Sequence, residues 1–202
     1  MDASEHNRRI ISELIQNHGG VVMPFSQLPD AAQFSMAYYM SVNGEAWELP
    51  AEVEEAYFNC SQQWQARSLE AIGRGETAID EHDAIYRPAR EAFMAALPFF
   101  LKKYGERKFG LVTVPTVALI AAHLQLYRDD DDFPGDFDSY HKWFLVHCGT
   151  EDHGVSVWPV ILDSTGDALL QDGWHRFHSY VERKLEQIPC LYCPRRANGG
   201  QG

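Results

Sequence analysis

The chain has 202 residues, 45% of them hydrophobic, and a net charge of −12; it can bury a core, but it holds no apolar run near the roughly 20 residues of a membrane span. Acids outnumber bases in both halves, 15 to 8 over residues 1–104 and 14 to 9 over 105–202, so DNA, whose nonspecific affinity comes from neutralised phosphates, is a disfavoured partner. Met1 to Arg9 is polar with no apolar stretch behind it, so no secretory signal and no membrane insertion are expected, and the location read from the sequence is cytoplasmic.

Ser4 is placed to cap a helix carrying Ile10, Ile11, Leu14 and Ile15 on one face, stopped by Gly19-Gly20. Val21 to Met23 is a short strand ahead of Pro24. Pro29-Asp30 opens a helix that ends at Asn43-Gly44, and Pro50 opens another with Val53, Tyr57, Cys60 and Trp64 at helical spacing. A fourth helix runs from Asp80 to Tyr104, with Pro88 and Pro98 as kink points. The aromatic residues of this half, Tyr38 and Phe100 among them, read as core, and no motif here carries chemistry.

The pattern changes near Gly105. Phe109 to Val114 is strand-like, and Pro115 starts a helix over Val117 to Leu124. The loop Asp129 to Asp138 is acidic; its four consecutive aspartates offer Mg²⁺ carboxylates, but adjacent residues in an extended loop do not converge on one ion, which favours a solvated loop. Tyr140 to Val146 is strand or helix, undecided by periodicity. Val155 to Leu162 and Ala168 to Leu170 form a hairpin across the turn residues Asp163 to Asp167. Trp174 to Leu185 is an amphipathic helix, Ile188 to Tyr192 a final strand, and residues 195–202 a disordered tail. Cys190 and Cys193 make a CxxC; with no second pair nearby, and in a strand where residues three apart face opposite ways, structural thiols are favoured over zinc or redox chemistry.

The stretch that carries chemistry is Asp172-Gly173-Trp174-His175-Arg176. Gly173 lets the backbone approach a ligand. The unbonded amides of a helix start favour an anion, Arg176 can grip two phosphate oxygens, and His175 can donate a hydrogen bond or a proton. The alternatives are an Arg176 paired with Asp172 or Glu151, a structural His175, and a Trp174 that packs into the fold instead of stacking on a base. His178 and Glu182 share the face of His175, a metal-like spacing with no third ligand close in sequence.

From His153-Gly154 through Trp158-Pro159-Val160-Ile161-Leu162, the DGWHR turn and Gln187-Ile188-Pro189-Cys190, the chain resembles the ParB/sulfiredoxin superfamily. The resemblance covers about residues 105–194 and implies an α/β (α+β) fold. A small mixed-sheet, nucleotide-binding domain at 105–194 would follow a mainly helical region at 1–104, packed on it or binding a partner. It implies ATP or CTP as ligand, with Mg²⁺ an option. Asp172 to Arg176 would bind the nucleotide, Glu151, His175 and Arg176 would be the catalytic residues, and Asp152 the metal ligand. Trp174 stands where sulfiredoxins carry their reactive cysteine, and the partition proteins' arginine-rich box and following DNA-binding domain are absent from the sequence. The pattern is most similar to small plasmid fertility-inhibition factors, which implies inhibition of conjugative transfer, with ATPase or nuclease activity in some members. Two readings stay open: a metal-assisted phosphohydrolase, or a non-catalytic inhibitor that keeps the fold and blocks a protein of a conjugative transfer apparatus.

Overall fold

The structure, a computed structural model, describes residues 3–42, 50–52, 55, 86–128, 135–148 and 159–194. Helix α1 (Ala3–Asn17) forms where Ile10, Ile11 and Leu14 recur on one face, and all three are buried. Strand β1 (Val21–Pro24) follows, then a 3₁₀ turn at Phe25–Gln27 and α2 (Asp30–Val42). Helix α3 (Tyr86–Tyr104) carries Pro98 inside it. Then come β2 (Lys108–Pro115), α4 (Thr116–Leu126), α5 (Phe137–His147), β3 (Val160–Leu162), β4 (Leu170–Asp172), α6 (Trp174–Glu182) and β5 (Gln187–Tyr192).

The strands form one five-stranded mixed sheet in the order β1-β2-β5-β3-β4, and the fold is α+β. All neighbours are antiparallel except β3 and β5, whose register pairs Val160 with Cys190 and Leu162 with Tyr192. Side chains alternate across a strand, so β3 and β5 feed two cores. Ile161 and Leu191 enter a cluster with Phe25, Phe34, Met36, Phe93 and Phe100 of the first half. Val160, Leu162, Ile188 and Cys190 enter another with Ile10, Leu14, Leu119, Phe137 and Phe177. Burial on both faces explains the unbroken apolar reading of these strands. The helical first half is therefore packed on the sheet and contributes its strand β1. Among the described residues no helix is long and apolar enough to cross a membrane.

Several boundaries differ from the sequence reading. Residues 140–146 are helical: Asp136 caps α5, its carboxylate accepting the Ser139 amide and hydroxyl at 2.8 Å. Strand β4 starts at Leu170 rather than Ala168. Asp163 draws Thr165, Asp167 and Ala168 into a turn by accepting their amides at 2.7–2.9 Å, and Ala168 is thereby spent. Helix α6 ends at Glu182, three residues early. Lys184 takes a left-handed φ of 54°, and the Leu185 amide closes back on the Tyr180 carbonyl at 3.1 Å. Strand β3 is described only from Val160. The helix read from Pro50, the aspartates 129–132 and the tail 195–202 lie outside the described residues, apart from residues 50–52 and 55.

Candidate functional site

Strand β4 delivers Asp172 beside Ile161 of β3, and the chain then turns into α6 through Gly173. Gly173 has φ 93° and ψ 25°, the left-handed region that glycine enters without penalty. A β-carbon there would lie 2.8 Å from a guanidinium nitrogen of Arg176 and 3.1 Å from the Val160 backbone. Arg176 is thus folded back over the turn. It is 6% exposed and pairs with the Asp172 carboxylate at 2.8 Å. The first amides of α6 have no intrahelical acceptor, the first internal bond being Phe177 N–H to the Gly173 carbonyl. Helix terminus and guanidinium therefore lie at the same turn, with the Asp172 carboxylate on the guanidinium.

The other residues of the turn face a cluster of rings. Trp174 packs edge-on to His123 (5.7 Å between ring centroids) and Tyr127 (6.3 Å), and His175 packs edge-on to Phe144 at 5.2 Å. His123, from α4, is 1% exposed and lies among Tyr127, Phe137, Tyr140, Trp174 and Phe177. Burial lowers its pKa to about 4. The same enclosure raises the Tyr140 hydroxyl to about 12, with Tyr127 and Cys148 adding to it.

His178 and Glu182 do share a face, and α5 supplies what meets them. His141 Nδ1 lies 2.6 Å from His178 Nδ1, and His141 Nε2 lies 2.9 Å from a Glu182 carboxylate oxygen. The two contacts couple the tautomers: a His141 Nε2–H that donates to the Glu182 carboxylate leaves His141 Nδ1 to accept from a His178 Nδ1–H. His178 Nε2 is buried and has no hydrogen-bond partner among the described residues. Burial first, and then the nearby His141, His123 and His175, lower the pKa of His178 to about 3. The ring lies flat on Phe144 at 3.9 Å and is 1% exposed.

Among the described residues no group of three or more His, Cys, Asp or Glu side chains is placed to hold a metal. Glu151 and Asp152, read as base and metal ligand, lie outside the described residues, as does His153. Cys190 is a free thiol, fully buried in β5, where burial pushes its pKa up. His123 and His141 escaped the sequence reading. The available signal was the spacing of Phe137, His141 and Phe144, one face of a helix if 140–146 is helical.

No family model matches this chain, and no curated protein or solved structure shows significant similarity to it.

Proposed function

We propose that the chain binds a nucleotide, ATP or CTP, through its phosphates at the Asp172–Arg176 turn. The observation that carries this reading is the convergence at Gly173 of a helix N-terminus and the Arg176 guanidinium, which pairs with the partly exposed Asp172 carboxylate. A phosphate would be held by amides of Trp174 and His175 and by the guanidinium once Asp172 swings out. The role proposed with it, from the resemblance, is interference with conjugative transfer.

One observation favours the non-catalytic form of this role. Arg176 is buried and already neutralised by Asp172, so the site has a resting state without substrate. Turnover would need Glu151 or Asp152 as base or Mg²⁺ ligand, and both lie outside the described residues.

The test is a titration of ATP, CTP and a short DNA with and without Mg²⁺, following binding and phosphate release. Asp172→Asn removes the internal competitor, and binding is expected to tighten several-fold. Arg176→Lys, which keeps the charge and loses the fork, is expected to weaken it. Folded wild-type protein that binds none of the three ligands sinks the nucleotide reading; binding without phosphate release leaves the inhibitor form standing.

A further inference from the structure

Two buried histidines meet between α5 and α6. His141 is 8% exposed and His178 is 1% exposed. Their ring planes are 14° apart and their centroids 4.9 Å apart, so the rings lie side by side with the two Nδ1 atoms at 2.6 Å. At that distance there is room for one proton between the nitrogens and not for two. His141 Nε2 is fixed by the carboxylate of Glu182 at 2.9 Å, an exposed side chain. Phe137 stands nearly parallel to both rings, and Phe144 lies flat on His178. The other titratable groups that face the pair are His123 of α4, Tyr140 of α5 and His175 of α6.

We infer that this pair is a proton-operated switch between α5 and α6, in which uptake of one proton reverses the hydrogen bond between the rings and changes the tautomer of His178. In the neutral pair a His141 Nε2–H on Glu182 leaves His141 Nδ1 to accept from His178 Nδ1–H. The charge of an added proton settles on His141, whose Nε2 edge meets the Glu182 carboxylate, while His178 lies against Phe144. Burial first, and then His141, His123 and His175, hold the pKa of His178 down to about 3. A charged His141 carries protons on both nitrogens, so its Nδ1–H must donate and His178 Nδ1 must accept. The net change is one proton: His141 gains it at Nδ1, and His178 exchanges Nδ1–H for Nε2–H. The two rings therefore titrate as a unit. In the loaded state His178 Nε2–H is a buried donor with no hydrogen-bond partner among the described residues, which weakens the hold of α5 on α6 in acid.

The experiment uses the full chain labelled with ¹⁵N and ¹³C, the rings being assigned by through-bond correlation to the backbone. Long-range ¹H–¹⁵N spectra recorded from neutral pH downward distinguish the two neutral tautomers and the imidazolium of each ring. At neutral pH His178 is expected as the Nδ1–H form and His141 as the Nε2–H form. On acidification His141 should become an imidazolium and His178 an Nε2–H ring, at one shared midpoint. Glu182→Gln, at an exposed side chain that leaves the core intact, should move that midpoint to lower pH. Hydrogen exchange of the amides at 137–147 should quicken through the same midpoint, relative to those of β2. A His178 that keeps its tautomer while His141 titrates would overturn the proposal. Two separate midpoints, a midpoint unmoved in Glu182→Gln, or equal loss of protection in α5 and β2 would do the same. The switch uses neither Gly173 nor Arg176, so this result is independent of the nucleotide titration.

Discussion

At Gly173 a positive φ and a crowded α-carbon act together. Gly173→Ala would put a methyl group against the Arg176 guanidinium and the Val160 backbone while keeping φ at 93°. The expected cost is about 1–3 kcal/mol, read as a lowered urea midpoint; an unchanged midpoint would show that the turn relaxes freely. His178 and His123 set a second residue-scale expectation. Their folded pKa values, about 3 and about 4, lie below the usual histidine value of 6.5. The unfolded chain therefore binds more protons in that interval, and stability rises with pH. The contribution is complete above about pH 6.5 and is lost as pH falls toward the folded values, at up to about 1.4 kcal/mol per pH unit for each histidine. Urea midpoints measured from pH 7 to 4 should fall, and His178→Phe should make the fall shallower. A variant as pH-sensitive as wild type would remove His178 from the account.

Among the elements, the β3–β4 hairpin depends on one side chain. Asp163 is 3% exposed and accepts three amides and the Thr165 hydroxyl. Burial alone would raise its pKa, but these hydrogen bonds together outweigh burial and hold it below the usual carboxylate value. Its contribution is present above the unfolded pKa and is lost as pH falls through the folded one. Asp163→Ala leaves the turn amides without their acceptor, and a loss of about 1–3 kcal/mol is expected, measured by thermal unfolding. Helix α1 clamps the outside of the same turn: Asn7 donates to the Gly166 carbonyl at 3.0 Å and Arg8 to the Thr165 carbonyl at 3.1 Å. Hydrogen exchange at residues 164–168 should quicken in Arg8→Ala, and an unchanged rate would mean that Asp163 alone holds the turn. The start of α4 is tied to the connection between α6 and β5 in a similar way, the Thr116 hydroxyl and amide donating to the Leu185 and Glu186 carbonyls.

At the scale of the whole molecule, the two halves share one sheet and two cores. A fragment of residues 105–194 would lose β1 beside β2, α1 from one face and the Phe25, Phe34 and Phe100 cluster from the other. It is expected to be unfolded or aggregated, visible as a collapsed amide spectrum; a dispersed native spectrum would show that this half folds alone. The site divides along the same lines of distance. Gly173 and Arg176 could be read as a unit because glycine, helix start and arginine lie within five positions, and their physics is local. His141 could not, because it meets His178 and Glu182 from 37 and 41 residues away. A segment whose own periodicity was undecided supplied it, and no spacing rule spans such a gap.

The DGWHR turn shows what each level decides. From the residues alone came the helix start, the turn chemistry of Asp163 and Asp167, the strands at 109–114 and 188–192, the helix stopped at Gly19 and the helix opened at Asp30, all matters of local period and local hydrogen bonding. The strand order that puts β5 between β2 and β3, the double-sided burial of Leu191 and Cys190, and the hydrogen-bonded pair of His141 and His178 came only with the tertiary structure. They arise from packing between segments far apart in the chain, where burial on two faces, not any local preference, selects the partner.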